Sequence, residues 1–362
     1  MKVLLLSPLP PPYGGIANWT KMMKDYVENI DDVDFSFLNT APTKRSMEGR
    51  TLWDRVVVQG FCMFRLNKQM KKILKSQIHD AVHITTSAQL SIIRDIMLLK
   101  TAKKMGVPTV YHTRFGRIPD ITLRNTLEWK LLKKAMKIAD CVMVIDSASC
   151  EAVKKYAEDV NVCCVPNPFD MNKIQSIDIS SINPKKEIVF VGWVIKSKGV
   201  EELLGAWQST CKKYTDWTLR IVGPYNPAYK DELQTKYSFE NVVFTGEKSN
   251  KETLNIVANS SIFILPSYTE GFPNAVVEAM ALEKAIIGTK VGAIPDMLEG
   301  CGIVIEPMNV NEIERAFEKM LGDSELRCSL AKKAKQKMMR EYTMETIFGV
   351  YKTIWNNLSK NG

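Results

Sequence analysis

Pro266-Ser267-Tyr268-Thr269-Glu270-Gly271-Phe272-Pro273-Asn274-Ala275-Val276-Val277-Glu278-Ala279-Met280 is the stretch that decides how this chain folds. Ser261-Ile262-Phe263-Ile264-Leu265 precedes it, a short apolar block of the kind that forms a strand buried within a parallel sheet. A Pro-Ser turn and a Glu-Gly-Phe loop follow. Pro273 then stands where a first helical residue is expected, because its fixed φ suits that position and its missing N–H is not needed there. Ala275, Val276, Ala279, Met280 and Leu282 continue as the apolar face of a helix. The stretch reads as strand, loop, helix, with the helix N-terminus open at the carboxyl end of a strand.

Free N–H groups and the positive end of the helix dipole attract anions at such a terminus, and doubly wound sheets bind their ligands at that edge. Glu270 and Glu278 frame the loop with seven residues between them. A carboxylate is a poor phosphate ligand but a good acceptor from sugar hydroxyls. Two of them astride a diphosphate-binding helix end point to a nucleotide-sugar, one for the ribose and one for the transferred sugar. Each glutamate alone also reads as a solvated charge; the combination carries the inference.

The same residues, with Ala285-Ile286-Ile287-Gly288-Thr289 and Val291-Gly292-Ala293-Ile294-Pro295-Asp296 after them, closely resemble the retaining glycosyltransferases of family 4. The resemblance recurs in pieces across nearly the whole chain, and the Glu-to-Glu segment is its most specific part. It implies an α/β protein of the GT-B fold, two Rossmann-like doubly wound domains facing a central cleft. Residues 1–170 would form an N-terminal acceptor-binding domain, completed by a tail helix at about 343–362. Residues 171–186 would be the linker and 187–342 the nucleotide-sugar-binding domain.

Composition agrees with two domains. The chain has 362 residues and 45% apolar content, ample for two cores. No run approaches the roughly 18 apolar residues of a membrane span, and Met1–Leu6 is too short for a signal-peptide core. Eight cysteines without a Cys-x-x-Cys pair read as reduced thiols of a cytoplasmic protein, and three histidines make a histidine-rich metal site unexpected. The charge is uneven: residues 1–170 carry net +8 and the remainder +1. No nucleic-acid-binding module accompanies the surplus. An anionic membrane surface fits better, which would place the protein on the inner face of the cell membrane.

Along the first half, Val3–Ser7 reads as a strand leading to Gly14-Gly15 and an amphipathic helix to about Ile30. Paired glycines there let the backbone approach a bound group. Asp32-Val33-Asp34 reads as a solvated turn rather than a metal motif, and polar residues 40–55, with Lys44, Arg45 and Arg50, as a mobile loop. Val56–Gln77 and Leu123–Ile138 are helical patterns in which basic residues alternate with apolar ones, the composition of an interfacial helix as well as of an ordinary surface helix. His112 closes the strand Thr109–His112, while His79 and His83 read as structural.

The resemblance assigns roles residue by residue. Lys198 occupies the family's Lys-Gly position and would grip the diphosphate, but Trp193 stands where the family places an arginine; Lys196 or Arg114 could compensate. His112 would lie near the donor's sugar and phosphates, and Arg114 or Gly14 near a phosphate or the acceptor. Gly15, Gly192, Gly223, Gly271, Phe272, Pro273, Asn274 and Ala275 would line the donor site with Glu278, and Gly292 and Ala293 border it. The implied reaction is metal-independent and cofactor-free transfer of a sugar, with Glu270, Lys198 and His112 as the catalytic set. The acceptor would be a glycan or glycolipid, such as a lipid-linked glycan precursor in surface polysaccharide or glycolipid synthesis. Two alternatives stay open: a non-catalytic GT-B partner that binds a sugar nucleotide or a membrane complex, and a nucleotide-sugar epimerase.

Overall fold

In a computed structural model the described residues are 1–11, 14–41, 52–76 and 78–361, with the backbone alone over 52–59 and at 361. Tyr13 and the basic residues Lys44, Arg45 and Arg50 lie outside them. The chain divides into two compact units, Met1–Asn167 with Phe348–Gly362, and Pro168–Ile347.

The first unit is built on six parallel strands, β1 (Lys2–Ser7), β2 (Asp34–Asn39), β3 (Ala81–Thr86), β4 (Thr109–Thr113), β5 (Cys141–Val144) and β6 (Val162–Cys164). Their order is β2-β1-β3-β4-β5-β6. The second unit carries β7 (Lys185–Val191), β8 (Thr218–Val222), β9 (Val242–Gly246), β10 (Ser260–Leu265), β11 (Ala285–Thr289) and β12 (Ile303–Ile305), ordered β12-β11-β10-β7-β8-β9. All pairings are parallel, as in β1–β3, where Leu4 faces Val82, and β7–β10, where Phe190 faces Ile264. Helices on both faces explain why the central strands are continuous apolar runs: Val3–Leu6 and Ile262–Leu265 are buried throughout.

Local chemistry sets the helix boundaries. Ser249 and Glu252 form a reciprocal capping box at the start of Asn250–Asn259. The segment 118–138, expected as one helix from Leu123, is two, Ile118–Leu123 and Leu127–Met136. Asn125 adopts φ +45° and Thr126 then caps the second helix by accepting from Trp129 N–H, so the chain turns between them. Residues 168–184 belong to the second unit, where Phe169 and Ile174 join its core.

Asp32 and Asp34 of the acidic turn are each held by a lysine, Lys352 and Lys2 respectively. Lys352 lies on the final helix, Met344–Asn361, whose Phe348, Tyr351 and Trp355 are buried in the first unit.

Candidate active site

The second sheet reverses its winding between β7 and β10: β8 and β9 are added on one side of β7, β10 to β12 on the other. Loops leaving the two strands toward opposite faces open a crevice at that point. The loop after β7 carries Lys198 and the loop after β10 carries Glu270. Lys198 Nζ donates to Glu270 Oε1 at 2.6 Å, and Ser267 Oγ donates to the same oxygen at 2.7 Å.

These loops can meet because residue 199 has no side chain. Gly199 sits at φ +71°, and a Cβ there would lie 2.0 Å from the Pro266 carbonyl oxygen. Tyr268 N–H donates to Ser197 O at 2.9 Å across the same junction. From the third side the loop after β11 closes in: a Cβ on Gly292 would lie 2.4 Å from Gly271 O, and Ala293 N–H donates to that oxygen at 2.8 Å.

Gly192 and Gly223 end β7 and β8 side by side, with Gly192 N–H bonded to Val222 O and Gly223 N–H to Gly246 O, each at 3.0 Å. Between Gly192 and Lys198, Trp193 is 65% exposed and Lys196 is exposed.

The helix after β10 is Asn274–Ala281, and Pro273 is its cap rather than its first residue. Its ψ of 109° keeps Pro273 in extended backbone while its carbonyl already accepts Val276 N–H at 3.1 Å. Asn274, exposed, and Ala275 therefore present the first free helical N–H groups. Phe272 packs edge-on to Tyr342, ring centroids 5.8 Å apart.

Glu278 is nearly buried, and burial pushes its carboxyl above the usual range. Lys173 Nζ, at 3.6 Å, opposes that shift. Lys173 comes from the turn Met171–Lys173, inside the stretch that polarity alone marks as linker; no sequence pattern pairs it with a glutamate 105 residues away.

In the first unit, His112 ends β4 and is fully buried. The Trp355 indole N–H donates to His83 Nδ1 at 3.2 Å, and His83 Nε2 lies 3.1 Å from His112 Nδ1. An indole nitrogen only donates, so a neutral His83 carries its proton on Nε2 and gives that bond to His112 Nδ1. On its other side His112 Nε2 faces Arg114. Burial supports neutrality: it pulls the His83 imidazole down to about 3 and His112 well below its ordinary value, and the Arg114 charge adds to both. His83, read from sequence as structural, thus links Trp355 to His112 through its two ring nitrogens.

Arg114 lies beside that nitrogen, Nη1 to His112 Nε2 at 3.4 Å, with its guanidinium 4.1 Å over the Trp19 ring. Nη2 donates to Asn167 Oδ1 at 2.6 Å, and buried Nε has no partner. Among the described residues no carboxylate lies within 4.0 Å of it. Burial lowers Arg114 to about 10, so it stays charged at neutral pH without a counter-ion. Trp19 stands on the helix Gly15–Val27, whose cap Gly14 is extended and whose first residues Gly14 and Gly15 have open space where a Cβ would sit. The half-buried Arg114 cation and the helix N-terminus at Gly15 together suit an anionic group.

Residues 172–337 match the family model of glycosyl transferases group 1. Over that segment, just under half of its length, the chain is similar to the group 1 glycosyl transferases.

Among relatives, the capsular polysaccharide biosynthesis glycosyltransferase CapM of Staphylococcus aureus is 25% identical over 195 residues, 53% of this chain and 51% of CapM. The Campylobacter jejuni N,N'-diacetylbacillosaminyl-diphospho-undecaprenol alpha-1,3-N-acetylgalactosaminyltransferase is 24% identical over 243 residues, 64% of each chain. The chain thus spans about half to two thirds of the length of these relatives. The Anabaena protein HepE, solved in complex with UDP, superposes with a TM-score of 0.70 at 17% identity, over 98% of this chain and 99% of HepE. With the two parallel six-stranded sheets, that likeness shows the GT-B fold.

The neutral buried imidazoles of the first unit have a consequence for acid stability. A histidine whose folded pKa lies below its unfolded value near 6.5 gives stability that is complete above 6.5 and is lost as pH falls toward about 3. Asp95, also buried in the first unit, has its carboxyl pushed up and contributes the opposite slope at its own titration. The histidine contribution is isolated by comparing urea midpoints of wild type and His83→Gln between pH 7 and pH 4 (roughly the span of the His83 shift). The two curves should converge on acidification; parallel curves would show that His83 is not buried neutral.

Proposed function

We propose that the protein transfers a glycosyl group from a nucleoside-diphosphate sugar to an acceptor hydroxyl with retention of anomeric configuration. The observation that carries this reading is the Lys198–Glu270–Ser267 constellation at the winding reversal of the second sheet, inside the group 1 domain. Lys198 and the free N–H groups at Asn274 and Ala275 would stabilise charge developing on the leaving diphosphate without reorganisation. Glu270, whose Oε1 already accepts two bonds, would take a hydroxyl of the transferred sugar on its remaining capacity. Glu278 would accept from the ribose. His112 and Arg114 would serve a phosphate. Gly15, Gly192, Gly223, Gly271, Phe272 and Pro273 would shape the donor site with backbone rather than side chain.

The acceptor is proposed to be a lipid-linked glycan precursor for surface polysaccharide or glycolipid. CapM acts in capsular polysaccharide biosynthesis, and the name of the Campylobacter relative carries a diphospho-undecaprenol acceptor. The uncompensated Arg114 fits a phosphate-bearing substrate.

The test is release of nucleoside diphosphate from UDP-, GDP-, ADP- and dTDP-sugars, with thermal shift measured in parallel and with EDTA present. One donor class should be cleaved and should raise the melting temperature, and Glu270→Ala should abolish the release. A second reading, a non-catalytic sugar-nucleotide binder, is favoured by exposed Trp193 at the family's arginine position. It is supported if a donor raises the melting temperature and no diphosphate is ever released.

A further inference from the structure

The helix Leu52–Ser76 has two faces of unlike purpose. Leu66 and Met70 point into the core of the first unit. Phe61 and Phe64 lie on the other side, 78% and 71% exposed. At 100° per residue, Arg65, Lys68, Lys71, Lys72 and Lys75 fall on the same stripe as these two rings. Between Gly60 and Ser76 there is no carboxylate, and four of these lysines line one concavity with Ser76. Sequence periodicity grouped Phe61 and Phe64 with Met70 as one apolar set; the structure separates them, placing the aromatics with the cations.

Exposed apolar side chains also occur beyond this helix. Among the described residues the six most exposed large apolar side chains are Ile78, Phe61, Leu127, Leu123, Phe64 and Leu90, all in the first unit. The helix Ser91–Lys104 packs between Leu52–Ser76 and Leu127–Met136, and Gln89 N–H donates to Glu128 Oε1 at 2.8 Å. That bond ties the loop bearing Leu90 to the helix start bearing Leu127. A patch of this kind, apolar side chains beside a stripe of one sign of charge, is costly to leave in water.

We infer that this face of the first unit docks on an anionic phospholipid surface, with Phe61 and Phe64 entering the headgroup boundary and the lysine stripe pairing with lipid phosphates. An aqueous protein partner of acidic surface would need only the lysines. A second copy of the chain would bring like charges together. An anionic bilayer satisfies both halves of the stripe, since basic residues and bulky apolar ones on one helical face are what interfacial binding requires. Among the described residues no helix is long and apolar enough to cross the membrane, so attachment through this face is peripheral. The inference is independent of the sugar chemistry and is tested without any donor.

The experiment is co-sedimentation of the full chain with phosphatidylcholine vesicles, with and without phosphatidylglycerol, at low and high salt. Binding should require phosphatidylglycerol and weaken with salt. The double substitution Lys68→Glu/Lys71→Glu should reduce partitioning by roughly tenfold or more, and Phe61→Ser/Phe64→Ser should reduce it too. All four positions are exposed, so melting temperatures should stay at the wild-type value. Lys332→Glu/Lys333→Glu, an equal charge change on the exposed face of Ser324–Glu341 in the second unit, should leave binding intact. Binding indifferent to phosphatidylglycerol, or equal loss in the Lys332/Lys333 control, would overturn the assignment. So would a self-associated species in sedimentation velocity that Phe61→Ser/Phe64→Ser dissolves, because a second copy would then be the occupant.

Discussion

Lys198→Met should lower the turnover of the cleaved donor by about 10²–10³-fold, the usual cost of removing one preorganised group that meets charge developing in the transition state. The physical basis is placement. Lys198 is about three quarters buried against Glu270, where its charge acts through less water than at the open surface. Folding should barely change, because Glu270 retains its bond from Ser267 Oγ and the ion pair lies at a partly open edge. The measurement is diphosphate release at saturating donor, with the melting temperature recorded alongside. A Lys198→Met protein that turns over at the wild-type rate would remove Lys198 from the chemistry. Trp193→Arg is the complementary probe: if the missing family arginine limits phosphate affinity, this substitution should tighten donor binding while Lys198→Met weakens it.

Gly199→Ala should destabilise the second unit by about 2–5 kcal/mol, the sum of a left-handed backbone penalty and an overpacking penalty. Gly199 combines φ +71° with a Cβ position 2.0 Å from the Pro266 carbonyl oxygen, and the obstructing atom is backbone, which cannot rotate away. To admit the methyl, the loop after β7 must part from the loop after β10. That movement takes Lys198 away from Glu270, so activity should fall by more than the loss of folded protein explains. A urea-unfolding curve and a turnover assay on the same preparation separate the two effects. An unchanged midpoint would show that the junction is looser than its geometry. Gly300 is the control: it also has positive φ, +71°, but open space around its Cβ position, so Gly300→Ala should cost only the backbone penalty, about 1–2 kcal/mol.

The first unit depends on a different kind of closure. Its final helix returns Tyr351 and Trp355 to the core, where Trp355 both fills space and orients the His83–His112 pair. The final helix thus reaches His112 through His83.

Much of this was legible along the chain. The apolar blocks Val3–Leu6 and Ile262–Leu265 announced buried parallel strands because both faces of such strands are covered and alternation disappears. The strand–loop–helix around Glu270 was readable because its parts are contiguous: an apolar run, turn residues and a proline at the helix start act over neighbouring residues. The boundary at Pro273 missed by one residue, since capping depends on ψ, which sequence does not specify.

What the residues determined by themselves, then, is the element order, the two-domain α/β class and the candidate donor loop with Glu270, Glu278 and Lys198. The tertiary structure decided the pairings made by residues far apart in the chain. Lys173 reaches Glu278, Trp355 is joined to His112 through His83, and Arg114 is left half-buried without a carboxylate. It also decided that Phe61 and Phe64 face water beside the lysines while Met70 faces the core. Periodicity states which residues share a helical face, but which face is covered depends on the neighbour that packs there, and that neighbour is chosen by the fold as a whole.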